Sequence, residues 1–227
     1  MLVKDWMSKN VVTIDPEDSM HEAVELMKKH KIRFLPVVKN GILKGVVTDR
    51  DIKRSSASDA TSLEVHEMFY ILSKIQVDDI MSRDPVSIPD DYTVEEAAEI
   101  LLKHKFSGLP VLNRSGGISG VITLTDLLKV LVTLTGIGQK GIQFAVLVKD
   151  IPGSIWIIAD LIRSYGGRIV SVLTGYEGAP KGCRKVYIRS YDIERRKIDE
   201  LAAKIDNSSE KLLYMVDHRH NIRDIRD

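Results

Sequence analysis

Along the first part of the chain, apolar residues fall in a rhythm that occurs twice. Met20, Ala23, Val24 and Met27 lie at i, i+3, i+4 and i+7, the spacing of one helix face, and Val94, Ala97, Ala98 and Leu101 do the same. An S/T-x-x-E pair precedes each run, Ser19 with Glu22 and Thr93 with Glu96. In such a capping box, hydroxyl and carboxylate satisfy the free N–H groups that open a helix. Two short apolar strands follow. In the first copy they cover 35–38 and 43–47 around Asn40-Gly41, a dipeptide suited to a hairpin turn. In the second they cover 109–112 and 118–122 around Ser115-Gly116-Gly117. A further helix is predicted after Asp51 and after Asp126.

The copies also match residue by residue. Val3-Lys4-Asp5-Trp6-Met7-Ser8 recurs 74 positions on as Val77-Asp78-Asp79-Ile80-Met81-Ser82, and Leu35-Pro36-Val37 recurs as Leu109-Pro110-Val111. One extra residue near 115–117 makes the offset 75, so Gly45-Val46-x-Thr48-x-x-Asp51 falls on Gly120-Val121-x-Thr123-x-x-Asp126. A unit of about 50 residues buries too little surface to be robust alone. Two copies packed about a pseudo-twofold would complete each other's core and leave clefts at their interface. Repeat one is assigned 1–54, a linker 55–76 and repeat two 77–132. Within the linker, Ser55-Ser56-Ala57-Ser58-Asp59-Ala60 reads as a loop and 63–75 as a connecting helix. Trp6, Met7, Ile80 and Met81 read as core.

The rhythm changes after Gly136-Ile137-Gly138-Gln139-Lys140-Gly141, so 133–141 reads as a second linker. Residues 144–148 form an apolar strand, and Asp150-Ile151-Pro152-Gly153 turns into a helix with Ile155, Ile158, Ala159 and Ile162 on one face. Gly166-Gly167 stops that helix. Strands are predicted over 168–174 and 184–191, a helix carrying Ile198, Leu201, Ala202 and Ile205, and a last strand over 212–216. The order is βαββαβ, a ferredoxin-like arrangement, over 142–218, followed by a charged tail at 219–227. The fold class is therefore α+β.

Hydrophobic residues make up 44% and charged residues 29%, as in an ordinary globular protein. The formal charge of +1 argues against a nucleic-acid partner, whose phosphates call for a basic surface. No apolar run approaches the ~20 residues needed to span a bilayer, and no signal-peptide core follows Met1. Cys183 is the only cysteine, so no intramolecular disulfide forms. A cytoplasmic protein without a membrane partner is expected.

The candidate chemistry lies in the duplicated T-x-x-D. Thr48 with Asp51, and Thr123 with Asp126, are serviceable helix caps with an acid facing the positive end of the helix dipole. They also suit ligand binding, because a carboxylate accepts from both hydroxyls of a ribose cis-diol. Both roles can coexist, and the Thr hydroxyl and free N–H groups at a helix start receive phosphate oxygens. The copies differ in charge. Arg33 and Arg50 stand where the second copy has Ser107 and Thr125. Either the repeat-one side supplies charge for a polyphosphate tail, or both arginines are solvated surface residues.

The duplicated helix-strand-strand-helix unit with its G-h-x-T-x-x-D signature resembles the CBS domain, and the pair resembles a Bateman module. The resemblance implies a regulatory adenosyl ligand such as AMP, ADP, ATP, S-adenosylmethionine or a cyclic dinucleotide, with no cofactor required. It further implies adenine held by backbone groups of Thr13, Ile14, Ser87 and Ile88. The segments 32–36 and 106–110, with Pro36, Phe106, Ser107, Gly108 and Pro110, would form the other wall. The D-x-P-G turn and the βαββαβ order resemble an ACT domain, which implies an amino-acid effector touching Asp150, Pro152, Gly153 and Ile155. The family has Asn before its second strand where this chain has Arg168. The alternative is a dimerisation unit whose turn only starts a helix. A CBS pair followed by an ACT domain is similar to the acetoin utilisation protein AcuB family. Both resemblances imply a homodimer, and a regulated partner enzyme fits a sensor. An enzyme or enzyme subunit of acetoin or related carbon metabolism is the alternative.

No catalytic residue or metal site is expected. Cys183 follows Pro180-Lys181-Gly182 without a neighbouring His and reads as a loop thiol. His218 and His220 lie at the charged tail without further ligands. His30 and His104 end helices among lysines, where cations suit the dipole.

Overall fold

The computed structural model describes residues 1–57, 72–207 and 210–226, and its elements follow the capping and hydrophobic signals closely. Repeat one contains a short turn α1 (Val3–Trp6), helix α2 (Met20–His30), the antiparallel hairpin β1 (Phe34–Lys39) and β2 (Ile42–Thr48), and helix α3 (Asp49–Ala57). Repeat two contains α4 (Val77–Ile80), β3 (Ser82–Arg83), β4 (Ile88–Pro89), α5 (Val94–His104), the hairpin β5 (Gly108–Leu112) and β6 (Ile118–Thr123), and α6 (Leu124–Leu134). Both capping boxes form. The Glu22 carboxylate accepts from the Ser19 N–H at 2.8 Å, and Glu96 accepts from the Thr93 N–H at 2.7 Å. These bonds hold both glutamates below the usual carboxylate range, the backbone donor contributing most. Met20, Ala23 and Met27 are buried, as are Val94, Ala97 and Leu101.

Each repeat lends its leading segment to the other. Val3 N–H donates to Tyr92 O at 2.8 Å, and its counterpart Val77 N–H donates to Asp18 O at 2.9 Å. Lys4 N–H reaches Asp90 O, and Asp78 N–H reaches Pro16 O. Ser8 pairs antiparallel with Val121, and β3 pairs antiparallel with β2 through Ser82 and Val46. Reciprocal bonds at a constant offset are what a twofold relation between the copies produces. The exchange explains the motif glycines. A Cβ on Gly120 would run into the Met7 side chain, and one on Gly45 into Met81. Met7 and Met81 are therefore half-buried seats on the opposite repeat, Ile80 is buried and Trp6 half-buried.

Two expectations for the linker change. Residues 55–57 finish α3 and are not a loop, because the helix opened by Thr48 and Asp51 propagates through polar positions. The connecting helix predicted over 63–75 lies largely outside the described residues, of which 72–74 are helical.

The chain divides into two units, Met1–Leu128 and Lys129–Asp227, and the boundary falls inside α6. Residues 133 and 134 thus complete a helix, and the expected linker shortens to 135–141, which holds a single turn at Ile137–Gln139. The second unit contains β7 (Ile142–Lys149), α7 (Ser154–Ser164), β8 (Arg168–Gly175), β9 (Cys183–Tyr191), α8 (Ile198–Asn207), β10 (Lys211–Asp217) and β11 (Ile222–Ile225). The expected βαββαβ order is present, in an antiparallel sheet ordered β11-β10-β7-β9-β8. Phe144, Val146, Val148, Val186, Ile188 and Leu212 meet Ile158, Ile162, Leu201 and Ile205 of the helices in its core. The charged tail is not simply solvated. Residues 222–225 add an edge strand on β10, with Arg223 opposite Val216. Cys183 opens β9 opposite Lys149 and is not a loop thiol.

Candidate functional site

The local chemistry of T-x-x-D is resolved first as a cap. Thr48 N–H and Thr48 Oγ1 both donate to Asp51 Oδ2, at 2.9 and 2.6 Å, and Asp51 N–H reaches Thr48 Oγ1 at 3.4 Å. Thr123 and Asp126 repeat the arrangement at 3.0, 2.7 and 3.4 Å. Both carboxylates are buried, Asp51 at 8% exposure and Asp126 at 5%. A buried charge this well bonded is costly to move. The geometry is therefore preformed.

Asp51 opens onto a cleft of about 340 Å³, inside the usual range for small-ligand sites. Repeat one contributes Phe34, Val46, Thr48, Arg50, Asp51 and Arg54; repeat two contributes the segments 82–86 and 105–108 together with Pro110. The cleft exists because β3 is delivered onto β2 by the segment exchange. Gly108 is buried in its lining, where a Cβ would lie 3.2 Å from Thr123 Cγ2 and 3.4 Å from the Phe34 ring. Phe106, stacked on His104 with centroids 5.1 Å apart, forms one wall. Arg50, Arg54, Arg83 and Lys105 make the lining predominantly cationic against Asp51 and Asp84.

Of the expected residues, Thr48, Arg50, Asp51, Phe106, Ser107, Gly108 and Pro110 come together in this one cleft. Thr123 and Asp126 cap α6 at the equivalent position of the other repeat. Arg33 is outside the cleft; its carbonyl accepts from Asp49 N–H. Ile14 and Ile88 are core residues, exposed by 3% and 2%, and the Ile14 N–H and C=O are spent on Pro36 and Val38 in the sheet. The Ile14 N–H is thus engaged, while its carbonyl keeps a second lone pair. Thr13 and Ser87 adjoin them without lining the cleft, and buried Pro36 takes part in β1. Sequence reasoning missed Arg54, Arg83 and Lys105. Arg54 was readable one helical turn beyond Asp51, whereas Arg83 arrives only through the exchange.

A model of the CBS domain matches residues 3–58 and 77–133. Over 133 residues the chain is 36% identical to a CBS domain-containing protein of Dictyostelium discoideum, covering 58% of this chain and 92% of that one. This chain belongs to the CBS domain family. The CBS domain-containing protein YhcV of Bacillus subtilis is 31% identical over 125 residues, covering 55% of this chain and 81% of its own. Inosine-5′-monophosphate dehydrogenase of Korarchaeum cryptofilum is 33% identical over 123 residues, which are 54% of this chain but 23% of that enzyme. Among solved structures, the CBS domain pair of protein MJ0100, in complex with 5′-methylthioadenosine and S-adenosyl-L-methionine, matches with a TM-score of 0.50 and 29% identity. It covers 58% of this chain and 95% of that one.

The unit beyond the CBS pair has a cavity of its own, about 450 Å³, lined by Gly153, Ile155, Trp156, Ala159, Arg163, Ile169, Val172 and Arg184. Gly153 caps α7 at φ 89°, a conformation that favours glycine. Asp150 stands behind the lining, its Oδ1 3.4 Å from Arg184 Nε, while Arg184 Nη2 donates to the buried Ser154 hydroxyl at 3.3 Å. Arg163 lies 5.2 Å above the Trp156 ring. Gly153 and Ile155 line this cavity as expected residues; Pro152 does not. Arg168, in the place of the expected Asn, pairs with Asp192 at 3.6 Å. Among the described residues no group of three or more His, Cys, Asp or Glu is placed to hold a metal, and no helix is long and apolar enough to cross a membrane.

Proposed function

We propose that this protein is a regulatory sensor whose CBS pair binds an adenine nucleotide or related adenosyl ligand, and that it signals rather than catalyses. The observation that carries this reading is the cleft at Asp51. A fixed, buried carboxylate faces a small cavity with an aromatic wall and a cationic lining, suited to a ribose, a base and phosphates in turn. The MJ0100 pair, a structural relative, is a complex with two adenosyl ligands. Arg50, with Arg54, Arg83 and Lys105, provides for a charged phosphate tail. Thr123 and Asp126 offer a second, less charged site with Thr125 in place of Arg50.

A second site is favoured by the cavity beside α7. We read this unit as ACT-like, taking an amino-acid effector against Gly153 and Ile155 with Asp150 behind them. The guanidinium of Arg184, which lines this cavity, suits the effector's carboxylate. A homodimer is part of the proposal, supported by the free edge of β8 with Val172 and Leu173 exposed.

Thermal unfolding of the purified protein with AMP, ADP, ATP, S-adenosylmethionine, cyclic dinucleotides and amino acids tests these readings. A nucleotide at 100 times its Kd should add about 2.7 kcal/mol. Asp51→Ala should abolish the increment for a ligand in the described cleft, and Asp126→Ala for one in the other repeat. No increment with any adenosyl compound would reject the sensor reading.

A further inference from the structure

Asp51 has more claimants than lone pairs. A carboxylate offers about four acceptor positions. Oδ2 already takes two donors from Thr48, and Oδ1 takes Arg54 Nη2 at 3.1 Å. One position remains, on Oδ1, while a ribose cis-diol presents two hydroxyl donors. The second hydroxyl can bind Asp51 only if Arg54 withdraws. Arg54 is the partner able to do so: its side chain is 75% exposed at the rim of the cleft, whereas that of Asp51 is 12% exposed and pinned by the cap. A guanidinium drawn off a carboxylate needs another anion close by, and a phosphate on the ribose 5′ carbon would bring one into the same cleft.

We infer that Arg54 is a specificity-determining residue of this cleft. It yields Asp51 to the ribose diol and takes the ligand's phosphate in exchange. Diol and phosphate then bind cooperatively, and the cleft selects ribonucleoside 5′-phosphates over uncharged nucleosides and over 2′-deoxynucleotides. A nucleoside would displace Arg54 with nothing to offer it. A deoxynucleotide, with one hydroxyl, uses the remaining position and leaves Arg54 on Asp51. Arg50 adds charge from the same helix, but no contact links it to Asp51, so it contributes phosphate affinity without this coupling.

The inference rests on the adenosyl reading of the cleft, and calorimetric titration separates the two. The ligands are adenosine, 2′-deoxyadenosine, AMP and 2′-deoxy-AMP; the proteins are wild type, Arg54→Gln, Arg54→Lys and Asp51→Ala, each shown by its melting curve to be folded. In wild type, AMP should bind about tenfold or more tighter than adenosine, the worth of one charge-assisted hydrogen bond. The phosphate should help the deoxy pair clearly less. In Arg54→Gln the AMP preference should collapse, with adenosine binding tighter than it does to wild type, and Arg54→Lys should fall between. An unchanged AMP-to-adenosine ratio in Arg54→Gln, or an equal loss for all four ligands, overturns the exchange while leaving the adenosyl reading standing. Wild-type protein that binds none of the four, or Asp51→Ala that binds them all normally, overturns the adenosyl reading and the exchange with it.

Discussion

Arg189 is 4% exposed, and no acidic side chain is paired with it among the described residues. Its Nε donates to Thr135 O at 2.7 Å, at the carbonyl-rich end of α6, and Nη2 donates to Gln143 Oε1 at 2.8 Å. Nη1 has no hydrogen-bond partner among the described residues. Burial lowers the pKa of this guanidinium, and its charge is felt by His218. The imidazole is held below its ordinary value of 6.5, first by burial, then by Arg189 and Arg223, with Asp217 opposing. A depressed folded pKa means that the unfolded chain takes up the proton first, so stability is full above 6.5 and declines as pH falls through the folded value. Melting midpoints of wild type should therefore drop between about pH 7 and 5, and His218→Gln should flatten that slope. An identical slope in the variant would remove His218 from the explanation. Asp217 loses its contribution in a different window. Burial alone would raise it, but the combined bonds from His220 and Arg219 outweigh burial and hold it below 3.8, so its loss comes only at lower pH. Thr48 and Asp51 were legible from spacing alone. The buried Arg189 was not, since β9 alternation shows which residues share a face without showing what covers them.

The exchanged segments set the cost of a methyl group at the two motif glycines. A Cβ on Gly45 would lie 2.6 Å from Met81 Sδ and 2.8 Å from the Ser82 carbonyl oxygen. Backbone held in the β2–β3 ladder cannot step aside. On Gly120 the nearest atoms all belong to the flexible Met7 side chain. Gly45→Ala should thus cost about 1–3 kcal/mol in urea unfolding, and Gly120→Ala clearly less. The reverse order would show that the two exchanges are not built alike. Ser19→Ala and Thr93→Ala should each cost about 1 kcal/mol, because each capping box loses its hydroxyl. Helices and hairpins were legible because periodicity and turn chemistry are local. The exchange was not, because it joins segments far apart in sequence, Val3 to Tyr92 and Val77 to Asp18, through backbone bonds that no side-chain pattern announces. β11 was hidden as well: Ile222, Arg223 and Ile225 are all exposed, so this edge strand has no buried face to give alternation.

On the scale of the whole molecule, the chain carries one tryptophan in each unit, Trp6 in the CBS pair and Trp156 on α7. Each unit has a hydrophobic cluster of its own. Ile14, Met20, Leu35, Val37 and Val47 cluster in repeat one, while Phe144, Ile158, Ile188 and Leu201 cluster in the second unit. The boundary between the units falls within α6, which starts beside Asp126 and leads to Thr135, whose carbonyl accepts from Arg189 and Ser171. That division was partly legible: the change of rhythm after 136 was visible, but a boundary inside a continuous helix leaves no break in periodicity. It also fixes what a nucleotide should do to stability. A ligand held by Asp51 stabilises the unit that contains its site by mass action, and the other unit only as far as the two unfold together. In Trp156→Phe the remaining tryptophan reports the CBS pair, and in Trp6→Phe it reports the second unit. With AMP or ATP at 100 times its Kd, the transition seen by Trp6 should gain about 2.7 kcal/mol, and the one seen by Trp156 should move less. Equal shifts at both tryptophans would mean that α6 makes the chain a single cooperative unit. A shift at Trp156 alone would place the nucleotide in the cavity beside α7 and not at Asp51.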